Sequence, residues 1–431
     1  MTPSITLLPY HQPSLTAKQL AKSGMTHIAW LDSSYATTHK AARFSILCAN
    51  PIERNTITTA DHKTIATSIS SMANKIPSHA GELPFYGGVI GALSYPQKEG
   101  DITLIASLYT WAFIFDHSAN TTSLVHWPEY STISTQELIS LYTSHDTDTE
   151  PCSTTPLKFT PLWSKEKYIQ AFKRIKEYIL SGDTYQINLT QCFQAQTSNT
   201  LQPLENFINL SKLAQAPFSA FFEHDKTVLM SASPERFIQI LGKELLTQPI
   251  KGTRKRGNSP REDAKIIEEL RQSPKDQAEN LMIVDLLRND LSISSKIGSV
   301  RTEQLFDIES FGTIHHLVST IRSTLNDNSS NTEALLAAFP GGSITGAPKK
   351  RAMEIINELE AKPRSFYCGS LFYCSGENLD SNILIRTFEL DKTTGIIETW
   401  AGGGIVSDSN AEGEYQESLD KISRLIGTIT E

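Results

Sequence analysis

The run Gln248-Pro249-Ile250-Lys251-Gly252-Thr253-Arg254 constrains this chain more than any other stretch. It follows the apolar pair Leu245-Leu246 and sets a lysine between Pro-Ile and Gly-Thr. That pattern predicts a strand running into a tight glycine turn. A lysine at such a strand end stands on a stiff support and can point into a cleft. Upstream, the turn-forming Ser233-Pro234-Glu235-Arg236 leads into the strand-like Phe237-Ile238-Gln239-Ile240. A carboxyl and an amine can then meet on neighbouring strands, one as proton donor and the other as nucleophile, if burial moves both pKa values toward neutrality. The alternative is a surface lysine and a solvated glutamate, and only the surrounding residues decide between them.

With 431 residues the chain exceeds the usual single-domain size, so one large unit or two subdomains is expected. The net charge of −8 is spread along the whole length, which argues against nucleic acid as the main partner. A small anionic substrate stays open, because local charge decides that. The five cysteines, Cys48, Cys152, Cys192, Cys368 and Cys374, form no CxxC pair. Neither a disulfide framework nor a zinc site is expected, and a cytoplasmic location follows. Met1-Thr2-Pro3-Ser4 opens no signal peptide, and no apolar run is long enough to span a membrane.

Residues 1–142 read as a strand-rich region, with strands expected at Ala29–Ser33, Arg43–Leu47 and Trp111–Asp116. Phe85–Gly91 reads as a glycine-bearing strand whose glycines allow close backbone packing. Residues 143–160 are polar and read as a loop or linker, leaving 161–431 as the catalytic region. Ser164 is a plausible N-cap for a helix whose apolar face is Tyr168, Phe172, Ile175 and Ile179, with Gly182 as its stop. The alternation Tyr185, Ile187, Leu189 then suggests a strand carrying Gln186, Asn188 and Thr190 on its other face, either solvated or lining a pocket.

Arg261–Gln272, Asp276–Leu291 and Glu412–Leu425 read as helices. Asp276 with Glu279, and Glu414 with Glu417, are three apart and share a face in each case. Two such pairs make a reasonable oxygen cage for Mg²⁺, although acidic pairs on helices are ordinarily solvated faces. Phe339–Lys349 is a glycine-rich turn opening a helix. Gly341 and Gly346 have P-loop separation, but Ala347-Pro348 stands where Lys-Ser/Thr is required, so that reading fails. The helix start still suits a carboxylate. A second glycine turn, Ala401–Ile405, is expected after the strand Ile396–Trp400, either for simple chain reversal or for close approach of a ligand.

Taken together these segments resemble the chorismate-utilising enzymes. The motifs, in that family's order, are GDTYQINLTQ at 182–191, SPERF at 233–237, PIKGT at 249–253, AENLMIVDLLRNDL at 278–291, HLVSTI at 316–321, FPGGSITGAPKKRAMEII at 339–356, FYCGS at 366–370, IRTF at 385–388 and AGGGIVSDS at 401–409. The resemblance is dense over 160–431 and loose before it. It implies a large α/β (α+β) two-sheet sandwich with helices outside and the active site between the two halves. Within the family, the PIKGT lysine resembles the branch that forms 4-amino-4-deoxychorismate for p-aminobenzoate and folate. The anthranilate-forming branch, which aminates C2, typically has alanine there and is the alternative.

The resemblance implies these roles. Glu235 is the general acid on the departing 4-hydroxyl, Lys251 the nucleophile, and His316 faces the ring. Glu279 and Glu417 are the principal Mg²⁺ ligands, supported by Asp276 and Glu414. Tyr367, Arg386 and backbone N–H groups near Gly402, Gly403 and Gly404 hold the enolpyruvyl carboxylate, with Ser343 and Gly346 lining the same pocket. Gln186 stands where water-using relatives carry a lysine base, which favours ammonia. No glutamine amidotransferase segment is recognisable, so the resemblance implies ammonia from solution or from a separate amidotransferase subunit. Leu31–Ser34 and Pro217–Ser219 resemble the segments that bind tryptophan in relatives. Asn410-Ala411 and Gln277 depart from the family pattern, but on no predicted catalytic role.

Overall fold

The computed structural model describes residues 1–36, 39, 41–98, 101–144, 155–198, 201–311 and 314–430. Their strands form two large antiparallel sheets, one of twelve strands and one of ten. The twelve-stranded sheet runs from Ser4–Pro9 at one edge, through Ala29–Asp32 beside Phe218–His224, to Ile396–Ile405, Gln186–Gln196 and the two-residue Gly346–Ala347 at the other. The ten-stranded sheet starts at Ile250–Lys255, passes through Ile314–Thr324, Arg236–Leu241 and Ser370–Ser375, and ends at Gly88–Leu93, Ile102–Tyr109 and Glu53–Ala60. Arg301–Phe311 pairs with Ile314–Thr324 off that path.

Each sheet draws strands from both sides of residues 143–160. Leu31 lies opposite Ala220, and Ile90 opposite Tyr373. Strand Trp111–Asp116 shows why the apolar runs are continuous. Ala112 and Ile114 face an inter-sheet core that also holds Ile46, Tyr109, Phe222, Leu229 and Leu371. Trp111, Phe113 and Phe115 face a second core beneath the helices. A strand buried on both faces needs apolar residues at every position rather than at alternate ones. Gly91 behaves as read from sequence, since a Cβ there would lie 2.8 Å from the Ile105 carbonyl of the neighbouring strand.

The helices cover the outer faces. Lys165–Leu180 starts where Ser164 accepts a hydrogen bond from the Lys167 N–H, and it buries Tyr168, Phe172 and Ile175. Pro260–Arg271, Pro274–Ser292 and Ala411–Ile426 follow the expected spans. No helix is long and apolar enough to cross a membrane among the described residues. Cys48, Cys192, Cys368 and Cys374 are buried free thiols. Cys152 and most of the expected linker, residues 145–154, lie outside the described residues.

Two expectations are corrected. Ala401–Ile405 is not a turn: all three glycines lie inside the strand Ile396–Ile405, with Gly402 opposite Thr190, Gly403 opposite Leu189 and Gly404 opposite Asn188. Glycine's weak strand preference hid this. The packing explains it, because a Cβ on Gly402 would fall 1.9 Å from the Leu189 carbonyl oxygen. Tyr185 does not share the buried face of Ile187 and Leu189. It precedes the strand and is 70% exposed.

Candidate active site

The lysine and the carboxyl with which the sequence argument began come together. Ile250–Lys255 is a strand bulged at its middle, where the pairing with Ile314–Thr324 shifts register between Ile250 and Thr253. Gly252 takes φ +80°, and a side chain there would meet Asp276 Oδ1 at 2.9 Å. Glycine is therefore required both for the backbone conformation and for the close approach. The bulge carries Lys251 inward, where its Nζ donates to the Ser343 carbonyl at 3.4 Å. Burial pulls the Lys251 pKa down, opposed by Glu235 and Glu279.

Glu235 is 6% exposed and sits just before the strand Arg236–Leu241. The Ser343 side chain and the Ile250 backbone lie beside its carboxyl as potential donors. Burial pushes its pKa up to about 7, against the pull of Lys251 and these two donors. Desolvation thus moves an acid up and an amine down within one contact cluster, the arrangement that a general acid beside an amine nucleophile requires.

His316 lies opposite Thr253 on the neighbouring strand, 2% exposed, with Nδ1 2.8 Å from Thr253 Oγ1. Burial, then the charge of Arg386, lowers its pKa to about 3, so the ring is a neutral imidazole at physiological pH. Arg386 adopts φ +52°, uncommon for a residue with a side chain. Its guanidinium has no hydrogen bond or ion pair among the described residues, and burial lowers its pKa. A half-buried arginine held without a counter-charge has the chemistry to receive an anion.

Gln186 is fully buried at the start of strand Gln186–Gln196, and both atoms of its side-chain amide lack a partner among the described residues. Gly404 makes room for it, since a Cβ there would lie 3.0 Å from Gln186 Cδ. Gly346 faces Ile187 across a short strand pair. Tyr367 is buried and stacks on Trp400, with ring centroids 5.7 Å apart.

The four acidic candidates lie on the helices predicted for them. Asp276 pairs with Arg254 at 2.7 Å, Glu279 lies 3.9 Å from Lys275, and Glu417 pairs with Lys421 at 2.7 Å. Glu414 accepts the Ser409 hydroxyl at 2.7 Å. Burial raises the pKa of Glu279 and of Glu414, and a neighbouring carboxylate adds to each, Asp276 in the first case and Glu417 in the second. Gly403 lets these side chains approach the strand closely, since a Cβ there would lie 3.3 Å from Glu414, 3.4 Å from Lys421 Nζ and 3.7 Å from Glu417. No three metal-ligating groups are gathered among the described residues. All four groups are carboxylates, the ligand type that a hard cation such as Mg²⁺ takes.

The family described as chorismate binding enzyme matches residues 26–427. The chain belongs to it. Along 99% of its length this chorismate binding enzyme is 39% identical to aminodeoxychorismate synthase component 1 of Escherichia coli (strain K12), covering 98% of that protein. Against anthranilate synthase component 1 of Geobacillus stearothermophilus the identity is 33%, over 80% of this chain and 75% of that one. The crystal structure of anthranilate synthase component I from Streptococcus pneumoniae TIGR4 superposes with a TM-score of 0.78 at 28% identity, covering 89% and 92% of the two chains.

In this chorismate binding enzyme the two segments compared with tryptophan-binding ones are adjacent, with Ser219 opposite Asp32. A cavity of about 150 Å³ opens beside them, lined among others by Phe218, Arg236, Tyr373 and Asp380. Sequence reading missed Lys421, which also donates to the Gly402 carbonyl at 2.8 Å. Its spacing of four from Glu417 was the available signal. Arg254 and Arg256 follow Lys251 closely in the chain. Both are taken up by Asp276 and Asp263, and the lysine that acts on Lys251 is Lys421.

Proposed function

We propose that this chorismate binding enzyme aminates chorismate at C4, giving 4-amino-4-deoxychorismate and water from chorismate and ammonia. The observation that carries the reading is the contact cluster of Lys251, Ser343 and Glu235. A half-buried lysine is costly to keep beside a buried carboxyl unless the chemistry uses both. The similarity to aminodeoxychorismate synthase component 1 over nearly the full length of both chains supports the same reading.

In the proposed sequence neutral Lys251 attacks C2 as protonated Glu235 hands its proton to the 4-hydroxyl, which leaves as water. Ammonia then bonds to C4, the ring double bonds shift back, and the lysine amine leaves C2. An amine on C2 blocks ammonia there, which separates this outcome from anthranilate-type chemistry. Gln186 cannot deprotonate water and leaves ammonia as the attacking group. His316 faces the ring. Arg386, with Tyr367, the Gly402–Gly404 backbone, Ser343 and Gly346, holds the enolpyruvyl carboxylate. Glu279 and Glu417, supported by Asp276 and Glu414, would hold Mg²⁺, which supplies the positive charge that binds the ring carboxylate. We place the enzyme in the cytoplasm, served by a separate glutamine amidotransferase subunit. Tryptophan is the ligand we propose for the cavity beside Asp32.

The test is a product assay on the isolated chain with chorismate, Mg²⁺ and an ammonium salt. The expected product is 4-amino-4-deoxychorismate, formed faster at high pH where free ammonia is abundant, and not formed from glutamine unless an amidotransferase subunit is added. Anthranilate as the product would overturn the C4 assignment, and efficient use of glutamine by the chain alone would overturn the partner.

A further inference from the structure

The strand Gln186–Gln196 has a gap along one edge. Gly346–Ala347 pairs with its first two residues and Thr160–Pro161 with Phe193 and Gln194, and among the described residues no strand pairs along that edge with the residues between. A buried ion pair fills much of that gap. Glu360 Oε1 accepts the Thr190 N–H at 2.9 Å and the Thr190 hydroxyl at 2.9 Å. Arg364 NH2 donates to the Asn188 carbonyl at 2.6 Å, and the two side chains bind each other through Nε–Oε2 at 2.8 Å and NH2–Oε1 at 2.7 Å. Arg364 is 1% exposed and the Glu360 side chain 6%. Arg364 also packs on the Tyr95 ring at 4.6 Å.

A fully buried ion pair is a poor way to gain stability, because the desolvation of two charges offsets their attraction. The geometry indicates another use. The remaining arm of Arg364, NH1, donates to the Ile344 carbonyl at 2.9 Å, and the Asn188 amide donates to the same oxygen at 3.0 Å. Ile344 closes the short 3-10 turn Gly342–Ile344, whose Ser343 meets both Glu235 and Lys251. We propose that the Glu360–Arg364 pair is the positioning element of the catalytic turn: it stands in for the missing strand, fixes the Ile344 carbonyl, and so holds Ser343 on Glu235 and Lys251. The inference rests on the roles proposed above for those two residues. Neither Glu360 nor Arg364 touches the cluster itself, so both are positioning residues and not catalytic ones.

The test follows the titration of Glu235 directly, by the infrared band of its protonated carboxyl, identified by its loss in Glu235→Gln. Lys251 is the charged group that faces Glu235. Ser343→Ala removes a donor to the carboxylate and sets the reference, an upward shift of about one pH unit. Arg364→Lys and Glu360→Gln should move the band the same way, lower kcat with ammonium by more than about tenfold, and add nothing to the shift when combined with Ser343→Ala. Glu360→Gln keeps an acceptor for Thr190 but loses the charge and the second oxygen that hold the Arg364 fork, so it serves if Arg364→Lys does not fold. Leu138→Ala, in the separate core beneath the helices, is the control: it should lower Tm and leave the band in place. Wild-type titration in folded Glu360→Gln, or a shift that adds fully to that of Ser343→Ala, would overturn the inference. The titration reads the same whether or not the wild type aminates chorismate, so failure of the proposed reaction is distinguishable from failure of the positioning role.

Discussion

Replacing Arg386 with methionine separates binding from stability in this enzyme. The guanidinium is half-buried, without a hydrogen bond or ion pair among the described residues, and carried on a left-handed backbone residue that costs the fold about 1 kcal/mol or more for arginine and methionine alike. Methionine keeps most of the apolar stem and removes the desolvated charge. Replacing buried charges with apolar groups of similar volume is neutral or stabilising by about 1–4 kcal/mol. The partial exposure of Arg386 puts the expected gain near the low end, about 1 kcal/mol, or a rise in Tm of about 2 °C for a chain of this size. Binding should move the other way. Charge-assisted hydrogen bonds to a carboxylate contribute about 1.5–3 kcal/mol, so the Kd for chorismate should rise about 10- to 100-fold. Thermal unfolding without ligand and equilibrium binding by calorimetry measure the two effects on one sample. A fall in Tm of several degrees would mean that Arg386 is a structural charge with a partner in the folded chain. An unchanged Kd would remove it from the anion site.

With chorismate and Mg²⁺ but no ammonia, rapid quenching and intact-protein mass spectrometry should show a substrate-derived adduct mapping to Lys251; an adduct that persists in Lys251→Ala would refute the nucleophile assignment. Turnover should stop in excess chelator and nearly vanish in Glu279→Gln or Glu417→Gln, whereas full activity with the chelator present would remove Mg²⁺ from the mechanism. Glu235 has its pKa raised from the ordinary 4.5 to about 7, so the folded state keeps a proton that the unfolded chain releases. Its contribution is most favourable below about pH 4.5 and is lost as pH rises through 7. Urea unfolding should therefore show Glu235→Gln gaining on the wild type between pH 5 and pH 8, and a constant difference across that range would contradict the buried carboxyl.

What could be read from the sequence was local chemistry with its own punctuation. Ser164 before a 3.6-residue apolar period marked a helix start, because that pattern depends on near neighbours in the chain, whereas Gly252, read as a turn ending a strand, is a bulge inside the strand Ile250–Lys255, set by its pairing with Ile314–Thr324. The three glycines at 402–404 looked like a turn because their purpose is set by distant residues, the Leu189 carbonyl at Gly402, the Glu414 and Lys421 side chains at Gly403 and the Gln186 side chain at Gly404. Tyr185 fitted the alternation of its neighbours yet lies one residue outside the strand. Glu360 and Arg364 have the i, i+4 spacing of an exposed helical pair, and nothing local shows that they sit against the open edge of a strand some 170 positions earlier. Arg386 was found only through resemblance, because its significance lies in having no partner, and a sequence does not show missing partners.

The pairing of Gly88–Leu93 with Ser370–Ser375 has a consequence for how the chain comes into being. During synthesis the early strand leaves the ribosome long before its partner exists, at about 5–20 residues per second. For many seconds the nascent chain carries an apolar strand with an unsatisfied edge, and loop closure across more than half its length must come before that edge is covered. The twelve-stranded sheet waits likewise, since Ala29–Asp32 needs Phe218–His224. Assembly is therefore late and non-local, and the interval before release is when a newly made molecule is most exposed to aggregation through its open strands.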